Sequence, residues 1–339
     1  METEKLSLYD NTRLSAFRNC PRAFYWRHIR HLDPTSHKIA LIFGSSWHAA
    51  MDTIWPLLTQ KAGQRMTVAD MAEAAFAGFM RKWEAEGEPG MDFFKGLHPK
   101  SDEAKRYTPR NPMVALEMLY AYADMRQTLA GRMTLLEVEK PFAVPLDPAR
   151  PNLFYVGRFD KVVEFEGRVY ILEHKTTSAY GTQTGLRPSY VNSFSPNSQV
   201  DGYLFAAHSI YGKKVKAVWV DAALVHKEVH DVFKFIPVER QFEHLDAWLW
   251  ETLYWQRQVE ANSQAVPSSG NAGPYMTAFP KNTQSCFQFG SDCTYIDLCK
   301  MIPNPAALAK DWAPEGFNIL PWEPFKELEL GQLKLGDSP

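Results

Sequence analysis

The chain has 339 residues, 45% apolar and 22% charged, with a net charge of −2. That is the composition of a globular protein with a sizeable core, one large domain with insertions or two small ones. It excludes a polycation that holds nucleic acid by overall charge, so any such contact must be local. No apolar run approaches the roughly 18 residues of a membrane span, and the opening METEKLSLYD lacks the apolar stretch of a signal peptide. A cytoplasmic setting with reduced thiols and no membrane partner is therefore expected.

Residues 8–30, LYDNTRLSAFRNCPRAFYWRHIR, read as two short helices. Asp10 or Asn11 can cap the first, and Pro21 can open the second. Five arginines (Arg13, Arg18, Arg22, Arg27, Arg30) interleave with Phe24, Tyr25 and Trp26. Arg18, Arg22 and their neighbours could contact phosphates while the rings stack on bases, or Phe24 and Trp26 could be core. Residues 40–58 predict a helix entered after Gly44, with Trp47, Met51 and Ile54 on its apolar stripe. Residues 67–130 are mostly helical by pattern, with a loop at 87–112. After Gly131 the pattern changes to strands at 134–146, 153–166 and 168–177, the last two joined through Glu166-Gly167-Arg168 as a hairpin. Residues 195–212 predict a helix stopped by Gly212. Strands follow at 216–225 and 232–238, then a long amphipathic helix at 240–262. A loop over 263–285 leads to a cysteine-bearing segment, and 303–339 reads as a partly extended tail. The order is that of an α/β domain with a large helical insertion near its start.

The chemistry sits on the hairpin, in GRFD (157–160) and LEHKTT (172–177). Strand residues i and i+2 share a face, so Glu173 and Lys175 project together. Asp160, read as ending its strand, can join them. Two carboxylates offer hard oxygen ligands for Mg²⁺ or Mn²⁺. The lysine can orient water and offset charge at a scissile phosphate. Metal-assisted phosphodiester hydrolysis needs these parts. A surface ion-pair ladder would show the same Glu-x-Lys spacing. The apolar run YILEHKTT, where a buried charge needs a reason, and the following helix with QVDGY favour a site. The chain has four cysteines, Cys20, Cys286, Cys293 and Cys299. In a reducing compartment such a set reads as a metal site before a pair of disulfides. The sequence contains no Gly-x-x-x-x-Gly-Lys-[ST] segment and so no helicase motor of its own.

GRFD, LEHKTT and QVDGY together resemble the PD-(D/E)XK nuclease superfamily, in its RecB/AddB-like branch. LIFGSSWH puts His48 where that branch carries a histidine, and CPRAFYW supplies its N-terminal cysteine. The resemblance spans residues 15–299. It implies a restriction-endonuclease-like mixed central sheet flanked by helices, in one nuclease domain over 1–306. The helical insertion would be about 50–130 and the catalytic core about 131–262, with 307–339 a C-terminal tail. It implies that Asp160, Glu173 and Lys175 are catalytic. His48, Asp160, Glu173 and the carbonyl of His174 would ligate Mg²⁺ or Mn²⁺, and Gln199 and Tyr203 would contact DNA or brace the site. It further implies a 4Fe–4S cluster on Cys20, Cys286, Cys293 and Cys299, joining segments 15–30 and 280–300. Four thiolates suit such a cluster and also structural Zn²⁺, although zinc sites usually show Cys-x₂₋₄-Cys knuckles and the spacings here are x₆ and x₅. The implied activity is a DNA exonuclease on single strands or ends, in recombination, repair or phage DNA processing. It would work in a bacterial cytoplasm, or in that of a phage host, with a helicase, recombinase or CRISPR integrase as partner. The alternatives are a CRISPR spacer-processing nuclease and a catalytically vestigial DNA-binding scaffold.

Overall fold

The computed structural model describes residues 6–61, 63, 66–98, 100–267, 273–288 and 291–325. In chain order the main elements are β1 (Ser7–Tyr9), α1 (Asn11–Asn19), α2 (Ile39–Leu58), α3 (Val68–Ala85), α4 (Pro112–Ala130), β2 (Thr134–Pro145), β3 (Leu153–Phe165), β4 (Arg168–Thr177), α5 (Ser198–Tyr211), β5 (Val215–Leu224), β6 (Phe233–Val238) and α6 (Phe242–Gln264). The chain divides into two compact units. One takes residues 1–36, 143–157 and 243–338, the other 37–142 and 158–242.

The unit 37–142/158–242 holds the expected mixed sheet flanked by helices. β3 and β4 are antiparallel, β4 and β5 parallel, β5 and β6 antiparallel, and β2 also pairs with β3. The hairpin turns on Glu166 (φ 50°) and Gly167 (φ 74°). Two successive positive φ values make the tight connection whose twist matches the flanking strands. α5 begins at Asn197, whose side chain accepts the N–H groups of Gln199 and Val200, and stops at Gly212 with φ 62°. Against the sheet lie α2, α3 and α4, with Trp47, Trp55, Phe79, Trp83, Met118 and Tyr122 buried among them. Gly78 lets α2 and α3 approach: a Cβ there would meet Thr53 Oγ1 at 2.7 Å and the Ala49 carbonyl oxygen at 3.0 Å. α2 starts at Ile39, so Gly44 lies inside it and not before it. The segment read as a loop contains two short helices, Met91–Lys95 and Asp102–Tyr107.

In the other unit, Asp10 caps α1 by accepting the N–H of Arg13 at 2.6 Å. Pro21 opens a helical turn, Pro21–Phe24, that runs on as the π-helix Tyr25–Ile29. Phe17, Phe24 and Tyr25 pack on Phe279 at 6.1, 5.8 and 5.3 Å between ring centres. β1, which the sequence did not predict, lies parallel to Leu153–Tyr155 of β3. Of the segment taken as a tail, 307–325 belongs to this unit: Phe317–Ile319 pairs antiparallel with Leu32–Pro34, and Phe325 is buried with Ala143, Phe154 and Val156; 326–339 lies outside the described residues. Among the described residues, no helix is long and apolar enough to cross a membrane.

Candidate active site

The β3–β4 ladder runs from Phe165/Arg168 to Lys161/Leu172. One residue further the Asp160 side chain takes over, its Oδ2 accepting the backbone N–H of His174 at 2.7 Å. Asp160 therefore sits within β3 and not at its end, because the strand runs on past it to Phe165, paired with β4. In a strand the N–H and C=O of one residue point to the same edge, so the His174 carbonyl is aimed to the Asp160 side. On β4, Glu173 and Lys175 share a face as the alternation predicts, with Lys175 Nζ 2.5 Å from Glu173 Oε1. From α5, Gln199 donates to the same Oε1 at 3.0 Å and stands 3.3 Å from the Tyr203 hydroxyl. Gln199 thus braces Glu173, and Tyr203 braces Gln199 while packing on Phe142 and Phe159. His48 reaches in from α2, Nδ1 3.4 Å from Asp160 Oδ2.

These charges are held in place by one another. Burial would lower the pKa of His48, but the Asp160 carboxylate raises it to about 9. Burial would raise Asp160, yet the facing His48 holds it well below the usual carboxylate range. Burial, then Asp160, pushes Glu173 up. Burial would lower Lys175, and Glu173 raises it, keeping the ammonium protonated. The residues fit a divalent cation. Glu173 is 2% exposed, and its Oε2 has no hydrogen-bond partner among the described residues. The carboxylates are the hard oxygen donors that Mg²⁺ and Mn²⁺ take, and one imidazole nitrogen stands beside them. Asp160, Glu173, His48 and the His174 carbonyl would hold the ion, which would polarise a phosphoryl oxygen and acidify a bound water. Lys175 sets a fixed positive charge beside the carboxylates.

The sequence did not single out Glu139, Asp52, Lys161 or Asp221. One ligand atom from each of His48, Glu139 and Asp160 lies within 4.8 Å of the others. Glu139 is on β2, and its pKa is raised to about 7 by burial, then by Asp52 and Asp160. Asp52, one turn beyond His48 on α2, stands 2.5 Å from the Nζ of Lys161, whose side chain is fully buried. The pattern offered a signal for Asp52: His48 and Asp52 are i, i+4 on one helix face, and a lysine follows Asp160 within an apolar strand. Glu139 had none. Two residues earlier, Glu137 forms an ordinary surface pair with Lys140 at 3.2 Å. On the other face of β4, fully buried His174 has Nδ1 3.3 Å from Asp221 Oδ2. Asp221 also accepts from the Tyr122 hydroxyl and from Arg126, each at 2.5 Å.

In the other unit the four cysteines converge, none in a disulfide. Burial raises the Cys293 pKa, and Cys20, Cys299 and Cys286 raise it further by charge repulsion, an effect that salt screens beyond about a Debye length. The Cys293 N–H donates to the Cys286 carbonyl at 2.8 Å. Trp26 Nε1 donates to Cys299 Sγ, and the Asn282 N–H to Cys20 Sγ, each at 3.4 Å. Arg22 is not at the surface: it is 3% exposed, and its Nε donates to the Phe279 carbonyl at 3.0 Å. Burial lowers its pKa, while Cys299 and Cys20 act the other way. This corrects the phosphate-contacting role expected of Arg22, since a side chain folded inside among thiols has no surface to offer DNA. Phe24 and Trp26 are likewise core. Arg18 is half-buried and donates to Ser15 Oγ at 2.9 Å.

Residues 11–300 match the model of the PD-(D/E)XK nuclease superfamily. No curated protein matches the chain. A solved structure from Eubacterium rectale, named provisionally as an exonuclease, is similar with a TM-score of 0.42 at 11% identity, covering 88% of this chain and 94% of that one. The family match takes in most of the chain, including the strands that set Asp160, Glu173 and Lys175 side by side: this protein belongs to the PD-(D/E)XK nuclease superfamily.

Proposed function

We propose that the chain is a metal-dependent deoxyribonuclease of the RecB/AddB-like branch, an exonuclease acting on single-stranded DNA or DNA ends in recombination, repair or phage DNA processing. The observation that carries this reading is the cluster of Asp160, Glu173 and Lys175 with His48 at Asp160. The branch assignment draws support from His48 and from the convergence of Cys20, Cys286, Cys293 and Cys299, which we assign to a 4Fe–4S cluster. The spacings lack zinc knuckles, and the N–H donors of Trp26 and Asn282 at two sulfurs are the kind that tune such clusters. The sequence has no motor motif, so a helicase, recombinase or CRISPR integrase in a bacterial or phage-infected cytoplasm is the partner class this reading calls for.

The test incubates anaerobically purified protein with end-labelled single- and double-stranded DNA and with circular DNA, in Mn²⁺ or Mg²⁺. Metal-dependent release of terminal nucleotides, with circles spared, is the expected result. Cleavage that survives EDTA overturns the metal assignment, and cutting of circles overturns the exonuclease assignment. DNA binding without cleavage under any metal leaves the protein a scaffold.

A further inference from the structure

We propose that Glu139 is a further protein ligand of the catalytic divalent cation, closing the seat from β2. The inference rests on the nuclease reading above. Mg²⁺ or Mn²⁺ with bonds of about 2.1 Å holds its donors within about 4.2 Å of each other. The ligand atoms of His48, Glu139 and Asp160 already lie within 4.8 Å of one another. That is close to the size of one coordination sphere, built from α2, β2 and β3.

Two observations separate Glu139 from an incidental surface carboxylate. The first is the orphaned Oε2 of Glu173, whose other oxygen is occupied by Lys175 and Gln199. A buried carboxylate oxygen without a donor calls for a cation. Its charge is felt by both His48 and Asp160, which sets it beside the cluster, outside the three ligand atoms that lie within 4.8 Å of one another. The second is the division of carboxylates around the seat. Asp52 is committed to buried Lys161 at 2.5 Å. Among the described residues Glu139 has a looser ion pair, its Oε2 3.7 Å from Arg158 Nε. Glu139 also has φ 48° within β2. A left-handed residue interrupts strand alternation, and Arg158 fastens the irregular backbone by donating to the Glu139 carbonyl at 3.0 Å. The side chains of His48 and Glu139 are 31% and 34% exposed, those of Asp160 and Glu173 10% and 3%. The seat is therefore sealed at Glu173 and open at Glu139, the side from which a hydrated ion enters.

The test titrates Mn²⁺ into the metal-free full chain and follows the free-ion electron-paramagnetic signal, with water-proton relaxation per bound ion as a second readout. Glu139→Gln is expected to weaken Mn²⁺ binding at least tenfold and to raise relaxation per bound ion, because one more water reaches the metal. Glu137→Gln, at the neighbouring surface pair, is expected to match wild type. Binding by Glu139→Gln within twofold of wild type, with unchanged relaxation, overturns the proposal. Should Glu139→Gln not fold, Glu139→Asn decides on the same criteria, since asparagine tolerates the left-handed conformation. Asp160→Asn separates the two levels of inference. If it loses Mn²⁺ while Glu139→Gln keeps it, only the Glu139 assignment fails. If Asp160→Asn also binds as wild type does, the metal-dependent nuclease reading fails.

Discussion

Lys175 and Glu173 stand in contact on one face of β4, yet they are replaceable in different ways. Lys175 is a third exposed, and Glu173 is buried with one oxygen unfilled. Lys175→Ala is expected to lower DNA cleavage by about 10²–10³-fold or more and, because it leaves buried Glu173 without its counter-charge, to lower the urea midpoint as well. Initial rates on end-labelled DNA at saturating Mn²⁺ check the first part and a denaturation curve the second. At His28 the chemistry is structural. Burial, then Arg13 and Arg27, lowers its pKa to about 3, while the unfolded imidazole takes up a proton near 6.5. Between those values the unfolded state binds more protons, so stability rises with pH there. The contribution is whole above about pH 6.5 and is lost as pH falls toward 3, at up to about 1.4 kcal/mol per pH unit. His28→Phe keeps a ring against Phe24 and Trp322 and should flatten the dependence by that slope in urea titrations at pH 7 and pH 5. An unchanged slope would assign the acid sensitivity to other groups.

At the scale of elements, two contacts hold the helices that deliver His48. The first is the approach of α2 to α3 at Gly78. Gly78→Val forces side-chain atoms into Thr53 and the Ala49 carbonyl and should cost about 1–3 kcal/mol, read as a lower urea midpoint. The second is the buried pair of Arg126 on α4 with Asp221 on β5, which also ties Tyr122 into the sheet. Asp221→Ala leaves a guanidinium buried without its counter-charge and should cost about 3–5 kcal/mol. Replacing Arg126 and Asp221 together by Met and Leu should recover most of that loss, because an apolar pair of similar volume needs no compensation. A double variant no more stable than Asp221→Ala would rule out charge burial as the cause. Period-2 alternation and glycine stops exposed β3, β4, β5 and α5 in the sequence, because those signals are local. β1 has three residues, too few for any periodicity, and exists only because β3 offers it an edge.

For the whole molecule, Cys20 and Cys286 are 266 positions apart and meet only once the chain is folded. A centre on the four cysteines closes that loop and couples its own assembly to folding. Cys293→Ser is expected to lose iron and the brown iron–sulfur absorbance of anaerobic protein and to melt at lower temperature, whereas Lys175→Ala keeps iron and colour. Colourless anaerobic wild type containing zinc would replace the cluster with a zinc site. The sequence by itself determined the hairpin, the pairing of Glu173 with Lys175 on one face, and the reach of Gln199 and Tyr203 from one helix, since each is a matter of spacing along a strand or helix. Only the tertiary structure brought Glu139 to His48 and Asp160, gave Asp52 to Lys161, turned Arg22 inward among the thiols, and paired Phe317–Ile319 with Leu32–Pro34. These join segments far apart in the chain, and one exposed glutamate or buried arginine looks like another until packing decides which has a neighbour.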